Sequence, residues 1–165
     1  MGLAAEDGEE RSGNFPVVSG FNLLGDQFDL PDDFTASYNV VILIYTQPQQ
    51  NDVYPWIPLL DEIDADFADV QYYELPTLPE FNAAARAQLD QWMIGGIQDE
   101  AARARTITLY LDVAAFNQVL GIDTTDEIQL LLITPGGEIL WRETGAFSDA
   151  KGEALQTRIR TLVNE

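Results

Sequence analysis

The sequence of 165 residues contains no cysteine and no histidine, and these two absences exclude several familiar kinds of active site. Without cysteine there is no disulfide, no catalytic thiolate and no cysteine-ligated metal. Without histidine, Ser-His and Cys-His catalysis, histidine base chemistry and the common zinc sites are excluded as well. The chain therefore cannot perform thiol redox chemistry, and its cysteine usage does not indicate a compartment.

Basic residues are scarce, because 28 acidic residues face 8 basic ones and the formal net charge is −20. Such a surface repels phosphate, so nucleic acid and anionic lipid are excluded as expected partners. The acids are spread along the chain, and Lys151 is the only lysine. Two interpretations remain open: adaptation of the whole surface to its medium, such as a salty one, or an acidic docking face.

Long apolar runs are absent too, so no segment is predicted to be inserted in a membrane. The N-terminus MGLAAEDGEERSGN lacks the positive start and the apolar core of a signal peptide. We therefore expect a soluble, cytoplasmic chain. Residues 1–14, acidic and without large apolar side chains apart from their first residues, are predicted to be a disordered tail. Residues 15–165 are long enough for one domain, with a helical insertion at about 80–104.

Apolar patterns along the chain predict an alternation of strands and helices. A strand or hairpin is expected within 15–36, and the unbroken run YNVVILIYT at 38–46 predicts a central strand buried on both faces. Further strands are predicted from β-branched and apolar runs, and helices from apolar residues at helical spacing. The predicted strands are 70–75 and 106–112, and the predicted helices are 54–67, 80–104, 114–121 and 151–163.

The insertion is expected to begin at Pro79 or Glu80, after Pro76 and Pro79 end the preceding strand. Its stripe of Phe81, Ala85, Leu89 and either Trp92 or Met93 is predicted to lie in the core, with a break at Gly95 and Gly96. Near the C-terminus, two apolar runs flank Thr134-Pro135-Gly136-Gly137, a strong signal for an antiparallel hairpin. The order of elements predicts an α/β sheet with helices on both faces.

This order resembles the thioredoxin superfamily, and the stretch YTQPQQNDVYPWIPLL carries the resemblance. Thioredoxins have an aromatic residue at the end of a buried strand, then a proline, a CxxC motif and a helix proline. Without a gap, Tyr45 matches the aromatic residue, Pro48 and Pro58 match the prolines, and Gln50-Asn51-Asp52-Val53 matches CxxC. The resemblance implies a three-layer α/β/α sandwich with a mixed sheet, a C-terminal hairpin and a final helix.

The same comparison implies that the redox site has been lost. Gln50 and Val53 stand at the cysteine positions, and the segment Thr124-Thr125-Asp126-Glu127 contains no proline where the family places a cis-proline. Thr46 can be matched to a peroxiredoxin-like threonine, but it has no thiol to activate.

The C-terminal half is similar to the thioredoxin-like assembly chaperones of mitochondrial ATP synthase and their bacterial relatives. The matching residues are Leu120-Gly121-Ile122, the glycines Gly136 and Gly137, and Trp141-Arg142 with Gly145. This resemblance implies an assembly or scaffolding role. Arg142 is expected to be held by a neighbouring carboxylate.

The polar and aromatic residues around the former redox site are the predicted partner surface. The amides of the loop can exchange hydrogen bonds but not protons, which suits recognition, and the aromatic residues beside them can anchor a partner or pack in the core. The predicted contacts are Gln47, Gln49, Gln50, Asn51, Asp52, Tyr54, Trp56, Asp126 and Glu127.

The sequence thus predicts a redox-inactive protein-binding or assembly module, not an enzyme, without catalytic residues, bound metal or cofactor. Its partner is expected to be a protein, and a subunit of a membrane complex is one candidate. The alternative is a divalent-metal-dependent enzyme that uses Asp52, Asp126 and Glu127 at the same end of the sheet. The acidic stretch DEIDADFAD lacks the glycine and the final glutamate of an EF-hand, so we interpret it as a solvated helix face.

Overall fold

The computed structural model describes residues 14–164, whose strands and helices follow the predicted order. The strands are β1 (Val18–Asn22), β2 (Gln27–Leu30), β3 (Tyr38–Ile44), β4 (Val70–Leu78), β5 (Ile107–Tyr110), β6 (Gln129–Ile133) and β7 (Ile139–Thr144). The helices are α1 (Gln50–Val53), α2 (Ile57–Asp66), α3 (Ala83–Gly96), α4 (Glu100–Arg105), α5 (Val113–Leu120) and α6 (Asp149–Val163). Of the predicted tail, 1–13 lie outside the described residues, while Asn14 forms a bridge with Glu138.

The seven strands form one mixed sheet in the order β2-β1-β5-β4-β3-β6-β7. The inner strands β3, β4 and β5 are parallel, and the other neighbours are antiparallel. The middle of β3 is buried on both faces, as its unbroken apolar sequence predicts. The sheet and its C-terminal hairpin confirm the predicted fold class.

Helices cover both faces of the sheet and form two apolar cores. On one face Phe116 and Leu120 of α5 pack against β3, β5 and β6. On the other face α2 and α6 supply the helical part of the core, through residues such as Leu60 and Ile159. The result is a three-layer α/β/α sandwich.

The end of β4 differs from the prediction, because the strand continues through Pro76 to Leu78. Pro76 lies opposite Ile44 of β3, and Thr77 and Leu78 pair with β5. Pairing with β3 and then with β5 keeps the backbone of β4 extended beyond Pro76, where the strand was expected to end. A proline in a strand has no N–H to donate, but it does not prevent an extended backbone.

The insertion also differs from the prediction, both in its start and in its packing. Asn82 caps α3 by accepting a hydrogen bond from Ala85 N at 2.9 Å, so the helix begins at Ala83 and not at Pro79 or Glu80. No residue of α3 is buried, and Trp92 is 65% exposed. The prediction that Phe81 and Trp92 lie in the core is wrong, because α3 contacts β5 through other side chains, such as Met93.

Candidate functional site

The side chain of Gln49 holds the segment between β3 and α2 in place. After β3 the chain forms a 3₁₀ turn (Gln47–Gln49), α1 and a second 3₁₀ turn (Tyr54–Trp56). The Gln49 carboxamide oxygen accepts hydrogen bonds from Tyr45 N at 2.8 Å and Thr46 N at 3.4 Å. Its nitrogen donates to the Thr125 carbonyl at 2.7 Å. The buried Gln49 therefore braces the loop, which corrects its prediction as a partner contact.

The two positions matched to the redox cysteines now have separate roles. Val53 is fully buried and packs in the core beneath α2. Gln50 is half-buried, and its Nε2 donates a hydrogen bond to Glu74 Oε1 at 3.1 Å. An amide that binds a carboxylate thus stands at the position of the first cysteine.

Glu74 on β4 is the residue of this site that sequence reasoning missed. Burial raises the pKa of its carboxyl above the usual value, and the Gln50 hydrogen bond and the charge of Arg105 offset part of this effect. The signal in the sequence was an acid in the middle of the strand VQYYELPTL, since a charge buried in a sheet requires a partner.

Beside Glu74 lies a polar group that we call the Tyr72 cluster, formed by Tyr72, Asp61 and Arg105. The Tyr72 hydroxyl donates to Asp61 Oδ1 at 2.6 Å and accepts a hydrogen bond from Arg105 Nη1. The guanidinium carbon lies 4.2 Å from the Tyr72 ring centroid, and Arg105 Nη1 lies 3.7 Å from Asp61 Oδ1. Burial and the Asp61 hydrogen bond raise the pKa of the Tyr72 hydroxyl above the ordinary tyrosine value, so the phenol stays protonated at neutral pH.

Tyr54 and Trp56, which are neighbours in sequence, point in different directions. Trp56 is fully buried, donates Nε1 to the Gly145 carbonyl at 3.2 Å and meets the Phe147 ring edge to face. Its prediction as a partner contact is therefore wrong. Tyr54 is 61% exposed and available to a partner.

The remaining predicted contacts lie at the surface of the same end of the sheet. Gln47 and Asn51 are exposed and Asp52 is half-buried. The Gln49–Thr125 hydrogen bond brings the segment 124–127 against the loop, and both Asp126 and Glu127 are exposed there.

Next to this segment is a shallow pocket of about 350 Å³ between the β7 end and the loop before β6. Glu127, Arg142 and Glu143 are among the residues that line it, and a carboxylate that holds Arg142 stays a prediction.

The predicted metal ligands do not form a metal site within residues 14–164. No group of three or more carboxylates in this part of the chain could hold a metal ion. Asp52, Asp126 and Glu127 therefore do not converge as the enzyme alternative requires. Asp61, Asp64 and Asp66 are exposed on α2, in agreement with a solvated helix face.

No protein-family model and no curated protein matches this sequence. Solved structures do match its fold. The pneumococcal exposed lipoprotein thioredoxin Etrx1 of Streptococcus pneumoniae is 14% identical, with a TM-score of 0.55 over 88% of this chain and 99% of that one. BsSco, a member of the Sco family of cytochrome c oxidase assembly proteins, is 11% identical, with a TM-score of 0.56 over 88% and 93%.

A putative electron transfer protein from Aquifex aeolicus is 9% identical, with a TM-score of 0.62 over 90% of this chain and 96% of that one. Other neighbours are thiol-disulfide oxidoreductases of Bacteroides species. The fold of this chain is therefore thioredoxin-like. Its 165 residues contain no cysteine, so these residues cannot perform thiol chemistry.

Between residues 14 and 164, no helix has both the length and the apolar composition that crossing a bilayer requires.

Proposed function

We propose that this chain is a redox-inactive thioredoxin-fold protein that binds a protein partner at the end of the sheet where β3 meets α1. The observation that carries the proposal is Tyr54, an aromatic side chain exposed to 61% beside the former redox site. Tyrosine is among the residues that contribute most to protein interfaces when a partner covers them.

The rigidity of the loop supports this proposal. Gln49 links Tyr45, Thr46 and Thr125 through its side chain, so the backbone that presents Tyr54 is ordered before a partner arrives. Binding to a pre-ordered surface loses less conformational entropy than binding to a mobile one. The exposed amides of Gln47 and Asn51 can donate and accept hydrogen bonds around the aromatic contact.

An assembly or scaffolding role in the cytoplasm, with a subunit of a membrane complex as the partner, is part of this proposal. Its support is the C-terminal resemblance carried by Leu120-Gly121-Ile122 and Trp141-Arg142. The alternative of a metal-dependent enzyme has no comparable support, because the described residues 14–164 offer no group of three metal ligands.

Affinity capture with quantitative mass spectrometry tests the proposal by comparing the wild type with Tyr54→Ala. Because Tyr54 is exposed, this variant is expected to keep the wild-type melting temperature, whereas Trp56→Ala would remove a buried side chain at a cost of about 3–5 kcal/mol. We expect at least one partner to be depleted about tenfold, since an interface anchor contributes about 1.4 kcal/mol or more.

The matched control is Val119→Ala, which truncates a side chain of similar exposure, 58%, on α5. This variant should retain the partner. If Tyr54→Ala retains every protein that the wild type captures, the proposal is wrong.

A further inference from the structure

The arrangement of the Tyr72 cluster occurs a second time, at Tyr110. The Tyr110 hydroxyl donates to Asp90 Oδ1 at 2.8 Å, and the Arg86 guanidinium carbon lies 5.1 Å from the ring centroid. In both places an arginine covers a tyrosine ring while an aspartate accepts a hydrogen bond from the tyrosine hydroxyl. The ring attracts the guanidinium through its negative π face, and the aspartate adds to that attraction.

Tyr54 has neither interaction. Within residues 14–164, no arginine lies over its ring, and its hydroxyl makes no hydrogen bond. The hydroxyls of the other five tyrosines all take part in hydrogen bonds; these are Tyr38, Tyr45, Tyr72, Tyr73 and Tyr110. The exposed ring of Tyr54 can therefore bind a cation from outside. At Tyr72 and Tyr110 the protein's own arginines already occupy this position over the ring.

Several of the protein's own cations donate to backbone carbonyls. Arg103 donates to the carbonyls of Ile94 and Ile97, where it caps the end of α3. Arg158 donates to the Leu140 carbonyl of β7, and Lys151 donates to the carbonyls of Thr144, at the end of β7, and Ala146. The net charge of −20 gives a field that attracts a cationic partner.

We propose that the partner places an arginine side chain from a basic segment on the ring of Tyr54. This inference rests on the proposed function and names the chemistry of its partner. Charge complementarity favours a basic segment and disfavours a second copy of this chain, because two copies would each carry −20. The planar guanidinium stacks on an aromatic ring better than the compact, strongly hydrated ammonium of lysine does.

The test is a titration followed by ¹⁵N chemical shifts, using acetyl-Gly-Arg-Gly-Arg-Gly-amide and its lysine counterpart as probes at about 0.15 M salt. We expect the arginine peptide to bind about threefold more tightly than the lysine peptide, the size of an exposed cation–π contact. The preference should survive Tyr54→Phe, which keeps the ring, and disappear in Tyr54→Leu.

Trp92→Leu is the matched control, because Trp92 is an equally exposed aromatic residue on α3. The inference is overturned if both peptides bind equally well, or if the arginine preference persists in Tyr54→Leu or is lost in Trp92→Leu. A partner that depends on Tyr54 in affinity capture, together with equal peptide affinities, would overturn this inference alone. An arginine preference at Tyr54 without any Tyr54-dependent partner would show that the ring binds arginine but would overturn the proposed function, and with it the inference that a partner uses this contact.

Discussion

Single residues show what occupies the positions that were matched to the redox cysteines. Gln50, at the first cysteine position, donates to Glu74, while Val53, at the second, is part of the core. Both residues hold the segment against the sheet. Glu74 has a carboxyl whose pKa is raised by burial, which links the stability of the fold to pH.

We predict that Glu74→Gln removes a part of the pH dependence of stability. A carboxyl whose pKa is higher in the folded state than in the unfolded state stabilises the fold below the unfolded value of about 4.3, and this contribution is lost as the pH rises through the folded pKa. The melting temperature of the variant, relative to the wild type, should therefore rise from about pH 4 to about pH 7.

Glu62→Gln is the control for this prediction, because Glu62 is an exposed carboxylate on α2. Both variants lose one negative charge, so the general repulsion of the surface is relieved equally. A pH profile for Glu74→Gln that parallels that of Glu62→Gln would contradict the assignment.

The different fates of Tyr54 and Trp56 could have been predicted from helical spacing. Residues two apart lie about 200° apart around a helix, so both cannot face the same way. Trp56 continues the stripe of Leu60 and Ile63, which is the buried stripe of α2. The hydrogen bond between Gln50 and Glu74 could not be predicted, because it joins the first residue of the short helix α1 to the middle of a separate strand.

Strands and amphipathic helices could be predicted from the sequence where the burial of apolar residues determines their position. β3 and β6 are mostly apolar, each with one buried amide residue, and both are inner strands of the sheet. The start of α3 was not predictable from apolar spacing, because the Asn82 cap determines it and no residue of the helix is buried. The length of β4 depends on pairing with β5, which is distant in sequence.

A pair of glycines tests this account of the elements. Gly20 of β1 has the Thr108 carbonyl only 2.5 Å from the position that a Cβ would take, so Gly20→Ala must displace β1 from β5. We expect a loss of about 2 kcal/mol in the free energy of unfolding. Gly95 of α3 has no atom within 4 Å of its Cβ position, so Gly95→Ala should gain up to about 1 kcal/mol through helix propensity.

Urea denaturation of both variants measures these changes. Equal effects of the two substitutions, or a stable Gly20→Ala protein, would show that β1 does not approach β5 as closely as described.

The whole molecule is dominated by its negative charge. Several of its basic residues donate to backbone carbonyls, so they do little to offset the repulsion between carboxylates at the surface. Repulsion among these carboxylates destabilises the compact state at low ionic strength. The fold itself does not depend on this charge, because its strands and helices follow from apolar pattern.

We predict that salt stabilises the protein. The melting temperature should rise when NaCl is increased from about 0.1 M to about 1 M, because the Debye length falls from about 10 Å to about 3 Å. Differential scanning calorimetry measures the shift, and sucrose, which carries no charge, is the control solute. A melting temperature that does not respond to salt would contradict adaptation of the whole surface and favour a confined docking face.

The most direct test of the account is photo-crosslinking at the residue on which it depends. A benzoylphenylalanine at position 54 places the reactive group where the exposed Tyr54 ring lies, and the same group at Val119 provides the control. The account predicts a discrete protein partner crosslinked from position 54 and absent from position 119. No crosslinked protein at position 54, or the same proteins at both positions, would contradict it.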